Sequence, residues 1–269
     1  MKPVYKELPT INFLGVGIHA LTYEDMFDVV DGWLENKESR SHHIACLNAY
    51  GVTLTLSDPD LADIYHGADI AGADGMPFVY WIRWVHRLAC DRFSAPEIVM
   101  HLARRSQTTG YTFYLYGGSP EVVVGMKDFL EAKIANISIV GWQSPPFRKL
   151  SEEEDKKVCD EINALKPDIL CVGLGTPKQD YWIDSHIHRI KGTVMISCGA
   201  TFDFFGGRVK MAPRVIQRSG FEWLYRLLGP DFQRLFRRYT VINVIFVWNF
   251  LLQLLRFRVR EAVRWTRRG

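Results

Sequence analysis

What the chain lacks narrows it first. Its 269 residues include five cysteines, Cys46, Cys90, Cys159, Cys171 and Cys198, an odd number with no Cys-x-x-Cys pair among them. That excludes a zinc-finger spacing and an even disulfide framework. Cys171 and Cys198 fall inside apolar, strand-like runs, where reduced structural thiols are expected. The opening stretch, MKPVYKELPTINFLGVGIHA, has only a short apolar run, interrupted by Asn12, so no secretory leader is read and a cytoplasmic protein is expected. No unbroken apolar run approaches the ~20 residues of a bilayer span. No repeat or low-complexity tract points to a solenoid or a disordered chain.

What is present is enough apolar residue, 48%, to bury the core of one large α/β domain with an appendage. Net charge is only +3, but it is unevenly placed. From Arg208 to Gly269 there are fourteen Lys or Arg against three acids, a local balance of +11, while residues 1–207 carry −8. The division read from this is an acidic body, 1–207, and a basic C-terminal appendage, 208–269.

The body alternates short apolar runs with segments of helical period. Ile11 to Ile18, His43 to Leu47, Ala68 to Ala71, Thr112 to Tyr116, Ile137 to Trp142, Ile169 to Val172 and Thr193 to Ser197 read as strands. Between them lie helices starting at Thr22, Asp60, Gly75, Ala95, Ser119, Ser151 and Pro177, several of them opened by a capping residue. Such alternation predicts a Rossmann-like α/β fold, with a mainly parallel sheet and helices on both faces.

In that architecture a ligand sits beyond the carboxyl ends of the strands, so polar residues just after strands are the candidates. Asn48 follows HHIACL and could bind a sugar or base, or simply cap the next helix. Asp74, between two glycine-containing turns in AGADGMPF, could cap a helix or act as a general base. Gly117-Gly118-Ser119 could cradle a phosphate or only turn the chain. The most pronounced junction is ILCVGLGTPKQDYWI, where a buried strand breaks at Gly173, turns through Gly175 and Pro177, and resumes as a helix. Pro177 suits the first helical position and would bring Lys178 and Gln179 beside an anion held by the first turn's amides.

Two longer motifs then converge. VGLGTPKQDYWI has the form G-x-G-x-PKQ-x-x-W, and CGATFDFFGGRVKMAPRVIQRSGFEWLYRLL has the form G-x-x-FDF-x-x-G-x-x-x-x-AP followed by G-x-EWLYRL. In order and internal spacing they resemble the WecG/TagA/CpsF family of bacterial glycosyltransferases, glycosyltransferase family 26, over roughly Ile11 to Tyr239. The resemblance implies inverting, metal-independent transfer of a sugar, such as N-acetylmannosamine or its uronic acid, from a UDP-sugar to a polyprenyl-diphosphate-linked acceptor in surface or exopolysaccharide synthesis. It implies no cofactor. Carried over by residue, Asp74 matches the general base, Asn48 the polar residue near the donor, Arg92 an active-site arginine, and Gln179 the PKQ glutamine. Arg226 matches an appendage arginine that reaches the diphosphate, and Arg234 and Arg237 match further appendage arginines. Cys46 stands where many members have Thr, and Ala73, Thr176 and Asp180 replace the commoner Pro, Ala and Glu.

Such a transfer needs a base for the acceptor hydroxyl and cations for the departing diphosphate, and arginine forks can replace magnesium in the second role. The tail adds YTVINVIFVWNFLLQLL, residues 239–255, flanked by arginines and containing Asn243, Asn249 and Gln253. Short and polar-spotted, it reads as a helix lying on an anionic membrane face, so the protein is expected at the inner face of the plasma membrane. A core or dimer helix is the other reading, which leaves a homo-oligomer open. Nucleic acid is not an expected partner, because the basic residues lie among large aliphatics. Two other classes remain open: a nucleotide-cofactor oxidoreductase, against which Lys178 occupies the place of the third glycine of G-x-G-x-x-G, and a catalytically silent membrane-surface scaffold, against which stands the carboxylate at position 74.

Overall fold

The computed structural model describes residues 8–36, 39–219, 222–227 and 232–266; along the C-terminal helices the side chains at 214, 217, 218, 222, 223, 226, 232–235, 237–239 and 258–266 fall outside that description. In chain order the elements are β1 (Thr10–Phe13), β2 (Val16–His19), α1 (Tyr23–Glu35), β3 (His42–Leu47), α2 (Ala49–Leu54), α3 (Pro59–Gly67), β4 (Ile70–Ala73) and α4 (Met76–Tyr80). They continue as α5 (Ala95–Thr109), β5 (Thr112–Gly117), α6 (Pro120–Lys133), β6 (Ser138–Gln143), α7 (Glu152–Leu165), β7 (Ile169–Gly173), α8 (Lys178–His186) and β8 (Val194–Ser197). Four helices close the chain: α9 (Gly199–Phe205), α10 (Arg214–Ser219), α11 (Glu222–Leu227) and α12 (Phe232–Thr266).

The strands form one sheet in the order β1-β2-β4-β3-β8-β7-β5-β6, parallel throughout except for the β1–β2 pair. This is the Rossmann-like α/β arrangement that the alternation predicts. The single strand expected over 11–18 is instead a hairpin: Leu14 at φ 52° and Gly15 at φ 94° turn the chain inside what reads as one apolar run. The aromatic helix expected from Gly75 to His86 is also shorter, passing at Trp81–Val85 into a π-helical turn.

Helix starts follow local chemistry. Thr22 and Ser151 each accept from the amide three residues on while that residue's carboxylate returns a bond, a reciprocal cap legible in T-x-x-D and S-x-x-E. The sheet is buried on both faces, as a parallel sheet must be. One face carries a core built with α1, α5, α6 and α9, including Phe113, Ile98 and Leu130. The other is covered by α2, α3 and α4 on one side, around Leu47, Leu61 and Phe78, and by α7 and α8 on the other, around Tyr114, Ile162 and Ile183.

Although charge divides the chain at residue 207, packing crosses that line. Phe246 of α12 is 4% exposed and sits against Phe13 and Phe78, with Phe250 stacked on Phe13 at 5.1 Å and Phe257 on the edge of Trp81 at 5.4 Å. Gln253 ties the helix to the hairpin turn, accepting from the Leu14 amide at 2.8 Å and donating to the Asn12 carbonyl at 3.0 Å.

Candidate active site

The carboxyl ends of β3, β4, β5, β7 and β8 open on one cleft of about 1040 Å³. Register brings the candidates together there. Leu47 pairs with Ala73, so Asn48 and Asp74 leave neighbouring strands side by side, and the Asp74 amide donates to the Leu47 carbonyl at 2.9 Å. Gly117 pairs with Gly173 two strands further on. Asn48, Asp74, Arg92, Gly118, Gly173, Gly175 and Gln179 all line the cleft; Gly117 lies behind it, pressed so closely on Gly173 that a Cβ there would come within 2.5 Å of the Gly173 backbone.

Each candidate has a local structural job that its chemistry must be compatible with. Asn48 caps α2, its Oδ1 accepting from the Gly51 amide at 3.0 Å, which leaves its NH₂ for a ligand. Asp74 does not cap α4; Gly75 holds that position. Its carboxylate is partly exposed and held by Arg92, whose Nε donates to the Asp74 carbonyl at 2.9 Å while Nη2 stands 3.4 Å from Oδ1. Arg92 is steadied from behind, because Tyr23 donates its hydroxyl to the Arg92 carbonyl at 2.8 Å.

The glycine junction differs from the expectation in one respect. Pro177 is the N-cap of α8 rather than its first helical residue, and the side chain of Gln179 turns inward. Its Oε1 accepts from the amides of Gly175, at 3.1 Å, and Gly199, at 2.9 Å. Both amides are thus taken by this glutamine, which clamps the β7–α8 loop to the start of α9. Gly175 can make the turn because it sits at φ 78°. Lys178, the first residue of α8, lines the cleft, and no carboxylate pairs with it among the described residues.

Among the described residues Lys149 on the rim likewise has no carboxylate partner, whereas three arginines there are matched. Arg208 pairs with Asp203, Arg148 with Glu154 and Arg189 with Asp155. The chain's one Asp-x-Asp pair, Asp58-Pro59-Asp60, is outside the cleft: Asp58 caps α3 and accepts the Tyr181 hydroxyl at 2.7 Å. Among the described residues the one His/Cys/Asp grouping of metal-ligand reach is Asp155, Cys159 and His186, where Arg189 and His186 already contact the carboxylate.

Several residues of the cleft carry no motif. Glu97, which accepts from Ser94 at 3.1 Å and from Tyr23 at 3.3 Å, comes from the first turn of α5. Ser197 ends β8, and the loop 145–151 joins the cleft from the far side. The side chains of Arg226, Arg234 and Arg237 fall outside the described residues, so their approach to the cleft stays an expectation.

Residues 11–260 match the glycosyl transferase WecG/TagA/CpsF family. Among curated proteins, the chain is 26% identical over 227 residues to an N-acetylglucosaminyldiphosphoundecaprenol N-acetyl-beta-D-mannosaminyltransferase of Staphylococcus aureus (strain MW2), which covers 84% of this chain and 87% of the relative.

Proposed function

The chain belongs to the WecG/TagA/CpsF family of glycosyl transferases, and from that premise we propose that it moves a sugar from a UDP-sugar to a polyprenyl-diphosphate-linked acceptor, with inversion and with side chains in place of a metal. One observation carries the reading. A partly exposed carboxylate, Asp74, and a clamped glycine loop, with a lysine at the head of α8 that no carboxylate pairs among the described residues, share one cleft at the carboxyl ends of parallel strands. The named activity of the staphylococcal relative supports the lipid-diphosphate acceptor class and the kind of sugar moved, and the UDP donor is part of the proposal.

In this mechanism the acceptor hydroxyl gives its proton to the Asp74 carboxylate as its oxygen bonds to the anomeric carbon. The bond from that carbon to the β-phosphate oxygen breaks on the opposite face, and the electron pair leaves with UDP. Arg92 fixes the carboxylate's direction. Lys178, with Arg226, Arg234 and Arg237 supplied by the C-terminal segment, stabilises the charge that develops on the diphosphate. Asn48 offers its NH₂ to the donor.

The acceptor's lipid requires a membrane seat, and α12 has the form for one. Its inner face is docked through Phe246 and Phe250, while Val244, Trp248, Leu251 and Leu255 point away, Trp248 being 64% exposed. Thr240–Phe257 has a mean hydropathy of 1.6 and is long and apolar enough to cross a bilayer by composition. Its contacts with the hairpin and α4 favour lying flat, since a spanning helix would have to give up the Gln253 bonds and the Phe246 packing. The protein then works at the inner leaflet, where the excess of arginine after residue 255 favours an anionic surface.

Titration with UDP and with NAD tests the nucleotide class. Saturable UDP binding without NAD binding supports the reading, and NAD binding without UDP would return the chain to the oxidoreductase class.

A further inference from the structure

Behind the cleft wall lies a polar chain that the transfer chemistry does not use. It sits on the sheet face covered by α3 and α8. Asp180, next in sequence to the clamp residue Gln179, is 2% exposed. Its Oδ1 accepts from the Ser197 hydroxyl at 2.8 Å and its Oδ2 from the Tyr65 hydroxyl at 3.4 Å. The Ser197 oxygen, having given its proton to Asp180, accepts from His43 Nε2 at 3.0 Å, which assigns the ring proton to Nε2. No cation pairs with Asp180 among the described residues.

A buried carboxylate held by two hydroxyls and no cation is a poor stabiliser. Burial pushes its carboxyl up to about 7, with the Ser197 and Tyr65 bonds opposing that rise. His43, buried beside it, is pushed down to about 4 and stays neutral. A well-packed neutral side chain would serve stability better. The groups bonded to the carboxylate, directly or through Ser197, are placed to orient it: Tyr65 from α3, Ser197 from β8, and His43 from β3; the Cys46 thiol of β3 also faces it and is pushed up by burial. Room for the Tyr65 hydroxyl is itself built in, because a Cβ on Gly51 would come within 2.7 Å of that oxygen. Gly51 is also the residue whose amide is capped by Asn48.

We propose that Asp180 is a positioning residue for donor binding: anchored through Ser197 and Tyr65, it sets the first turn of α8 so that Gln179 holds Gly175 and Gly199 in the shape that accepts the donor diphosphate. The proposal rests on the reading of the cleft as a UDP-sugar site. Its logic is local. Gln179 and Asp180 are consecutive, one facing the loop and one facing the sheet, so fixing the second fixes the rotation of the first. Ser197 carries the constraint to β8, two residues before the clamped Gly199 amide. The same chain reaches α2 through Tyr65 and Gly51, and so bears on the Asn48 cap.

The test is calorimetric titration of UDP into the full chain in detergent, with thermal unfolding measured on the same samples, for wild type, Asp180→Asn and Tyr65→Phe. Positioning predicts a UDP Kd raised about tenfold in Asp180→Asn, the size of one lost charge-assisted bond, with an unfolding temperature at pH 8 equal to or above that of wild type. Tyr65→Phe should move Kd the same way by a smaller factor. An unchanged Kd in Asp180→Asn overturns the proposal. So does a rise in Kd matched by a lowered unfolding temperature, which would make Asp180 a part of the core and nothing more. Wild type that fails to bind UDP would overturn the donor reading itself, an outcome separate from the other two.

Discussion

The cleft wall and the C-terminal helix solve opposite problems. At the cleft nearly every polar group is directed: Arg92 onto Asp74, Gln179 onto two amides, Ser197 and Tyr65 onto Asp180. At α12 direction is scarce and area is plentiful, with phenylalanines turned inward and Val244, Trp248, Leu251 and Leu255 turned out. Chemistry on a charged leaving group needs fixed dipoles, which lose effect when displaced by an ångström. A seat on a bilayer needs apolar surface and tolerates sliding. The two regions should therefore answer mutation differently, the first through single atoms and the second through summed area.

The sharpest break comes from Asp74→Asn. It keeps the shape of the cleft and removes the proposed base, so UDP should bind within about twofold of wild type while transfer falls on the order of 10²- to 10⁴-fold; unchanged turnover removes Asp74 from the base role. On the other side of the comparison, replacing both Trp248 and Leu251 with Glu should weaken binding to anionic vesicles by roughly 10²-fold, since each large apolar side chain contributes about 1.5–3 kcal/mol when buried. Turnover on a short-chain acceptor in detergent should hardly change. Vesicle binding that persists would move the membrane contact off α12.

Smaller effects sharpen the account of the cleft. Gln179→Ala frees the Gly175 and Gly199 amides and should raise the UDP Kd by about tenfold, as one or two buried bonds are worth; tighter UDP binding would instead mean that those amides serve the diphosphate directly. The least visible change is in pH dependence. The Asp180 carboxyl titrates at about 7 when folded and near 3.9 when unfolded. Between those values the folded chain holds a proton that the unfolded chain has released, so stability falls as pH rises through that window. Asp180→Asn removes this contribution, and its unfolding temperature should gain on wild type from pH 5 to pH 8; parallel curves would contradict the shifted carboxyl.

Much of the frame was legible because its causes are local. Thr22 with Asp25 and Ser151 with Glu154 announce their helices in four residues, and the run from Ile169 to Gly173 announces a buried strand. Asn48 and Asp74 were legible as residues after strands, although only register shows that they are neighbours. The hairpin at Leu14–Gly15 was hidden because its flanks are equally apolar. The chain His43, Tyr65, Asp180 and Ser197 was hidden for a different reason: its members are scattered along the sequence, each unremarkable in its own segment, and only the folded sheet gives them partners. The same holds for the inner face of α12, whose phenylalanines read as membrane-seeking until Phe13 and Phe78 are placed beneath them.

The central claim is metal-free sugar transfer from a nucleotide donor, and one assay meets it directly. A panel of UDP-sugars is offered with a short-chain polyprenyl-diphosphate-sugar acceptor, in detergent with EDTA, and UDP release and the lipid product are scored together. Acceptor-dependent release is expected with one donor, UDP-N-acetylmannosamine being the first to try, together with a lipid product one sugar longer whose new bond is inverted at the anomeric carbon. Release that requires added magnesium, or no product from any donor in a protein that binds UDP, would contradict it.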